Sequence, residues 1–165
     1  RSDVPVLWDW APHDVSLIVD LLGTVPNSVS ALGDANSAAM RLEFSGGTKA
    51  WIANSNMSVE RRRLLAVHFE RRVLVLDDCR PDSLVEYELD PASADGVPLL
   101  GTGTALPVPD EMPLTRAVSY FTEGILGGDQ TRFGLDFACD VMRTIDAAQR
   151  SMDAGCEVAT LDLAL

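Results

Sequence analysis

The 165 residues are enough for one domain with its own core, so neither a disulfide framework nor a structural metal is needed for folding. A formal net charge of −12 repels phosphate backbones and argues against nucleic acid as a partner. With 47% hydrophobic residues but no apolar run of the roughly 20 residues that a bilayer span requires, the composition predicts a soluble globular domain and no membrane partner.

The cysteines indicate the compartment of the protein, and the first residue indicates how the given sequence relates to a longer one. Three cysteines form an odd number without CxxC spacing, which indicates neither a disulfide framework nor a zinc site. We therefore expect a cytoplasmic protein. The chain opens on Arg1 instead of Met and has no charged-then-apolar leader, so we expect no signal peptide and a fragment of a longer protein.

The first elements are predicted as a short strand from Pro5 to Trp10 and a helix from Pro12 to about Leu22. Proline suits the first helical position, where its missing N–H is not needed, and Gly23 suits the position just past the helix end. Apolar residues recur within this segment at helical spacing, which predicts one buried stripe. Its members are Val15, Ile18, Val19 and Leu22.

The middle of the chain is predicted to form an antiparallel meander. Apolar residues alternate with polar or small ones, so Ala38, Met40, Leu42 and Phe44 are expected on one buried strand face. Gly46-Gly47 predicts a two-residue hairpin turn, because glycine adopts positive φ values there without strain. The other predicted strands are Thr48 to Asn56, Arg62 to Phe69, Arg72 to Asp77 and Leu84 to Leu89.

The last part of the chain is predicted to be mainly helical. Residues Pro91 to Glu111 are expected to form a loop with one weak strand around Leu99 to Ala105, and a final strand is expected around Glu157 to Leu163. Gly127-Gly128 separates two helical stripes, which are Leu114, Val118, Phe121 and Ile125, and then Phe133, Phe137, Val141, Ile145, Ala148 and Met152. Strands in one block and helices in another predict an α+β fold with helices on one face of a mainly antiparallel sheet.

Known cofactor and metal motifs are missing from the sequence. Gly101-Thr102-Gly103 is the only GxG, and it lacks the third small residue and the following helix of a dinucleotide fingerprint. His13 and His68 are the only histidines, which excludes a histidine-rich metal site. We expect no metal.

One segment, Trp8-Asp9-Trp10-Ala11-Pro12-His13-Asp14, carries a candidate proton-transfer pair. His13 falls in the first turn of the predicted helix, where the positive end of the helix dipole favours the neutral imidazole that a general base needs. Asp9 is placed across the turn to accept a hydrogen bond from the other ring nitrogen. The same spacing also fits a structural pair at a helix start, while two ligands without a third disfavour a metal.

Trp10 and Asn56 are the candidate substrate contacts. An aromatic ring such as Trp10 stacks on sugars, although Trp8, Trp10 and Trp51 also fit a core or an interface. The polar run from Asn54 to Asn56 suits a pocket wall and equally an ordinary strand end. The run from Arg61 to Arg63 is read as solvated or ion-paired, with contact to a ligand phosphate as the alternative.

The segment WDWAPHDVSLIVDLLG resembles the DxxxH helix at the start of the C-terminal domain of the glucose-fructose oxidoreductase, inositol dehydrogenase and MocA (Gfo/Idh/MocA) family. MRLEFSGGTKAWIANSN is similar to the family's hairpin and RRRLLAVHFERRVLVLDD to the strands after it. PLTRAVSYFTEGILGGDQTRFGLDFACDVMRTIDAAQRS resembles its closing helices, so order and spacing agree over nearly the whole chain.

The resemblance implies a dihydrodipicolinate-reductase-like domain: a large open, mainly antiparallel sheet with helices on one face and homodimer or tetramer contacts on the other. It implies that Asp9 and His13 are the acid and base beside a sugar, cyclitol or nucleotide-sugar. His13 would take the hydroxyl proton while hydride leaves to NAD or NADP. Ser16 stands where the family often carries a further aspartate.

Residues 1–165 are accordingly expected to be the C-terminal substrate-binding and oligomerisation domain of an NAD(P)-dependent oxidoreductase. The family's Gly-rich cofactor loop and EKP-like lysine belong to an N-terminal Rossmann domain, which this sequence lacks, so the isolated domain is expected to be inactive. The alternative is a non-catalytic binding or oligomerisation module with the same fold.

Overall fold

The computed structural model describes residues 3–79, 83–90, 99–128 and 134–160. The helices are α1 (Val6–Asp9), α2 (Ala11–Leu22), α3 (Pro113–Ile125) and α4 (Leu135–Ala154). The strands are β1 (Ser28–Gly33), β2 (Ser37–Glu43), β3 (Lys49–Ser55), β4 (Leu64–His68), β5 (Arg72–Asp77), β6 (Leu84–Asp90), β7 (Leu99–Leu100), β8 (Thr104–Ala105) and β9 (Val158–Ala159). They form two compact units, residues 1–58 with 118–165 and residues 59–117.

The first unit contains an antiparallel sheet in the order β3-β2-β1-β9, packed against α1, α2 and α4. Met40 lies opposite Ala31 on β1 and Ile52 on β3. Burial alternates along β2 as the sequence predicts, because one face meets the helices while the other faces outward. The buried core includes Val6, Leu7, Val15, Val29, Met40, Leu42, Ile52, Val141 and Ile145.

The second unit contains the antiparallel meander β4-β5-β6, with β7 and β8 paired to β6. Within its described residues, Val73 is the one buried apolar side chain. The α+β class is confirmed. The strands are grouped into two sheets, where the sequence suggested one large sheet.

The prediction of a strand over Pro5 to Trp10 is wrong, because Val6–Asp9 is a single helical turn, α1. Val6 and Leu7 are adjacent and both fully buried, whereas neighbouring strand residues point to opposite faces. A short apolar run has too few residues to distinguish the two periods. The next helix begins one residue earlier than predicted, at Ala11, and ends as predicted at Gly23, which is left-handed (φ 64°).

The predicted hairpin between β2 and β3 is confirmed, but its turn is longer than two residues. Ser45–Gly47 form a short 3-10 turn in which Gly46 and Gly47 have φ values of 80° and 85°. The Phe44 N–H donates to the Thr48 carbonyl, which closes this longer turn. The weak strand predicted over Leu99 to Ala105 is two short strands, β7 and β8.

Strand β1 was not predicted. Its sequence, SVSALG, has one β-branched residue and no clear alternation, so its strand conformation comes from pairing with β2. One edge of the first sheet is β9, a two-residue part of the strand predicted over Glu157 to Leu163. Residues 161–163 of that prediction, Phe133, and residues 91–98 of the predicted loop lie outside the described residues.

Helix α3 has its predicted apolar stripe, but the stripe is exposed. Leu114, Val118, Phe121 and Ile125 are 73%, 56%, 63% and 66% accessible. Of the helices that the structure describes, none has the length and hydropathy needed to cross a membrane.

Candidate functional site

The predicted site residues lie around the joint between α1 and α2. Trp10 forms this joint with φ −107° and ψ −39°, and its carbonyl accepts a hydrogen bond from the His13 N–H at 3.1 Å. Asp9 is the half-buried last residue of α1, and His13 is exposed in the first turn of α2. The Ser16 hydroxyl donates to the His13 carbonyl at 2.8 Å, which supports the same turn.

Helix α1 is held from two sides, so the joint has a fixed base. The Val6 N–H donates to the carbonyl of Ala35, in the connection between β1 and β2. On the other side, the Trp8 indole donates to the Gln149 side-chain oxygen of α4 at 3.0 Å. The start of the chain is thereby tied to the sheet and to the long closing helix.

Trp10 and Asn56, the predicted substrate contacts, are joined directly. The Trp10 indole N–H donates to Asn56 Oδ1 at 3.0 Å. Asn56 follows the last residue of β3, and its backbone N–H donates to the Asn36 carbonyl at 2.9 Å. The Trp10 ring remains partly exposed, so a ligand can reach part of it.

A second hydrogen bond links the same two elements. Asn54 Nδ2 donates to Asp14 Oδ2 at 2.7 Å, which connects the end of β3 to the first turn of α2. The sequence shows Asn54 as a polar residue and Asp14 as part of the candidate segment, but it does not predict the contact between them. The available signal was an asparagine at a strand position where alternation calls for an apolar residue.

Asp9 ends α1 and His13 lies in the first turn of α2, so the joint separates the two residues along the chain. Within the described part of the chain, the side chain of neither residue makes a hydrogen bond or an ion pair. The expected Asp9–His13 hydrogen bond is therefore not formed. Both groups keep their full hydrogen-bonding capacity for a ligand.

The GxG segment does not form a phosphate-binding loop. A Cβ on Gly103 would lie 2.7 Å from the ring of Tyr87 and from the side chain of Val85, and one on Gly101 would lie 3.3 Å from the Glu88 carbonyl. These glycines let the segment between β7 and β8 pack closely on β6. No helix begins at this segment, so it does not have the strand–loop–helix form of a dinucleotide-binding loop.

The remaining candidate residues, Arg63 and His68, belong to the second unit. Arg63 pairs with Asp78 at 3.5 Å, and His68 is exposed on β4. A cavity of about 540 Å³ lies at the other end of α2, against the start of α4. Among the described residues, no three His, Cys, Asp or Glu side chains are grouped in a way that could hold a metal ion.

No protein-family model matches the chain, and no curated protein matches it significantly. Solved structures match the chain. A protein from Magnetospirillum magnetotacticum MS-1 assigned as an oxidoreductase is 37% identical over 87% of this chain and 48% of its own, with a TM-score of 0.74.

Two more distant structures share the fold. UDP-N-acetylglucosamine 3-dehydrogenase from Acidithiobacillus ferrooxidans is 18% identical over 92% of this chain and 48% of its own, with a TM-score of 0.75. Levoglucosan dehydrogenase, solved with NADH and levoglucosan, is 16% identical over 97% and 51%, with a TM-score of 0.71. The chain thus spans about half the length of these structures and has the fold of that half of each oxidoreductase.

Proposed function

We propose that this chain is the substrate-binding domain of an NAD(P)-dependent oxidoreductase of the Gfo/Idh/MocA family. The observation that carries the proposal is the similarity to the Magnetospirillum magnetotacticum protein. The chain is 37% identical to it over 87% of its own length and 48% of the length of that protein. The parent enzyme, by which we mean the complete protein that contains this domain, interconverts a hydroxyl and a ketone on a sugar, cyclitol or nucleotide-sugar. Support for that substrate class comes from the neighbours that are dehydrogenases of a nucleotide-sugar and of levoglucosan.

The cofactor in this proposal is NAD or NADP, bound mainly by an N-terminal Rossmann domain outside the given sequence. The described residues contain no strand–glycine loop–helix unit that fits it. A neighbour of the same fold was solved with NADH. Bound cofactor supplies the hydride chemistry, and this chain supplies the groups that bind the substrate and move its proton.

His13 acts as the general base in this proposal, and Asp9 is the acid beside it. His13 is exposed at a helix start and Asp9 ends the preceding helical turn, and the proposal places the substrate hydroxyl between these two groups. Asp9 orients the imidazole and stabilises its cation when the substrate is bound. Apo sites often show such catalytic hydrogen bonds only after ligand binding.

Trp10 and Asn56 form the substrate-contacting wall in this proposal. An indole whose N–H is held by Asn56 presents its ring face for stacking on a sugar ring. Within the described part of the chain, the Asn56 amide nitrogen has no acceptor, so its N–H groups can bind a sugar hydroxyl.

We also propose a cytoplasmic homodimer or tetramer that assembles through the outer face of the first sheet. Leu32 and Trp51 are both 71% exposed on that face, where two large apolar side chains favour an interface. Nucleic acid and membranes are not partners in this proposal. The alternative is a non-catalytic binding or oligomerisation module, favoured by the absence of an Asp9–His13 hydrogen bond.

The test uses the natural protein that contains this chain together with a dinucleotide-binding domain. NAD(P)H formation is followed with a panel of sugars, cyclitols and nucleotide-sugars, for the parent, His13→Ala and His68→Ala. Loss of a general base should lower kcat/KM by about 10²- to 10⁴-fold for His13→Ala. His68→Ala removes the other histidine and should leave kcat/KM unchanged.

Two results would contradict the proposal. Equal turnover by the parent and His13→Ala removes His13 from the mechanism. A folded parent that binds sugars but turns over none of the panel favours the binding module.

For the 165-residue chain alone, we expect no binding in titrations with NADH or NADPH.

A further inference from the structure

The core-facing side of β3 changes from apolar to polar residues at the end of the strand. Ala50 and Ile52 lie on the side that faces the helices, and Asn54 takes the next position on that side. An apolar residue is the expected choice there, since alternation places Asn54 toward the core. Asn54 instead points an amide at the first turn of α2.

The orientation of this amide is determined by its partner. A carboxylate only accepts hydrogen bonds, so the group 2.7 Å from Asp14 Oδ2 is the Asn54 nitrogen. The other atom, Asn54 Oδ1, is buried and has no hydrogen-bond partner among the described residues. A buried acceptor without a partner lowers the stability of the folded state, so stability alone does not explain an asparagine at this position.

The amides of Asn54 and Asn56 form hydrogen bonds with two different residues near the joint between α1 and α2. Asn54 binds Asp14, the residue after His13, and Asn56 binds Trp10. Both amides come from the same end of β3, whose backbone is fixed by pairing with β2. A strand end thus holds, at two points, the segment that carries the ring and the imidazole.

We propose that Asn54 is a positioning residue, which through Asp14 orients His13 and Trp10 toward the substrate. The proposal rests on the function proposed above for His13 and Trp10. Asn54 itself touches no reacting atom. Its contribution is to keep the first turn of α2 at a fixed distance from the end of β3, which Asn56 directly follows.

The first test uses the 165-residue chain and NMR. Asn54→Leu and Asp14→Ala remove the hydrogen bond, whereas Asp14→Asn loses the same charge as Asp14→Ala but keeps an acceptor. Asn27→Leu is the matched control, because the Asn27 side chain makes its hydrogen bond with Ser45 instead. The signals are the Trp10 indole N–H and the His13 imidazole, with Trp8 and His68 as internal references.

We expect Asn54→Leu and Asp14→Ala to accelerate hydrogen exchange of the Trp10 indole by about 10-fold and to shift the His13 signals. Asp14→Asn should restore most of the wild-type behaviour. Trp10 and His13 signals that match those of Asn27→Leu would overturn the proposal. So would changes of the same size at Trp8 and His68, because these indicate general destabilisation.

The second test measures the kinetics of the natural protein. Misplacement of the base should lower kcat by about 10- to 100-fold in Asn54→Leu with little change in KM, whereas Asn56→Ala should mainly raise KM. If the parent turns over substrate and Asn54→Leu does so equally well, the positioning role is wrong while the proposed function stands. If the parent turns over nothing while the NMR effects are present, the proposed function fails, and with it the catalytic role of the Asn54–Asp14 hydrogen bond.

Discussion

Single polar side chains join segments of this protein that are far apart in the sequence. The Ser151 hydroxyl accepts from the Ala31 N–H at 2.9 Å and donates to the Cys156 carbonyl at 2.6 Å, which fixes the end of α4 to β1. Glu157 plays a similar part on the outer face, where it accepts hydrogen bonds from Arg41 at 2.8 Å and from Ser30 at 3.1 Å. These contacts require groups brought together by the fold.

Glu157, Arg41 and Ser30 form a cluster that predicts a pH dependence of stability. The hydrogen bond from Arg41, with a smaller contribution from Ser30, lowers the pKa of Glu157 below its ordinary value of 4.5. The unfolded chain therefore binds the proton more tightly, so the stabilisation is present above pH 4.5 and is lost as the pH falls through the lowered pKa. Urea denaturation of wild type and Glu157→Gln should show a difference at neutral pH that disappears in acid.

Salt provides the control for this prediction. The cluster is exposed to solvent, so high ionic strength should reduce the neutral-pH difference between the two proteins. An identical difference at neutral and acidic pH would show that the carboxylate is not its source.

At the scale of elements, helix boundaries were predictable wherever backbone chemistry determines them. Pro12 and Gly23 identified α2 correctly to within one residue, because proline and left-handed glycine have local conformational requirements. The error at α1 has the opposite cause. A single turn has no period of its own, and it is held by Ala35 and Gln149 from elsewhere in the chain.

The Gly23 cap predicts a measurable loss on substitution. Gly23 has φ 64°, and a Cβ built there has no atom within 4 Å, so the cost of Gly23→Ala comes from the backbone alone. Urea denaturation should show a loss of about 1 kcal/mol for Gly23→Ala and a smaller loss for Gly23→Asn, since asparagine tolerates this conformation better. Equal losses for the two variants would contradict this explanation.

The candidate site shows how far residue patterns lead at this scale. The DxxxH spacing and the helix start placed His13 in the first turn of α2 and Asp9 before it, because both positions follow from local sequence. The hydrogen bonds Trp10–Asn56 and Asp14–Asn54 join residues 46 and 40 positions apart. No periodicity encodes such pairs, and they depend on the register of β3.

At the scale of the whole molecule, the two units bury apolar surface unequally. In the first unit, α4 and the sheet enclose fully buried side chains such as Leu42 and Ile145. In the described part of the second unit, most apolar side chains are half-buried or exposed, and Val73 is the exception. The second sheet therefore has fewer tightly packed contacts to resist local opening.

Hydrogen exchange should reveal this difference. Amides of β2, β3 and α4 should exchange more slowly than those of β4, β5 and β6 under native conditions, because local opening exposes less buried surface in the second unit. Mass spectrometry of peptides from each unit measures the two rates in one sample. Equal protection of the two groups of strands would mean that the molecule opens as one cooperative unit.

The sequence by itself determined the α+β class, the buried face of β2, the caps of α2 and the position of His13. These features depend on local periodicity and on the backbone preferences of proline and glycine, which act over a few residues. Only the tertiary structure decided that residues 6–9 form a helix, that residues 28–33 form a strand and that the strands divide into two sheets. It also decided the Trp10–Asn56 and Asp14–Asn54 contacts, because long-range hydrogen bonds and burial depend on which segments the folded chain brings together.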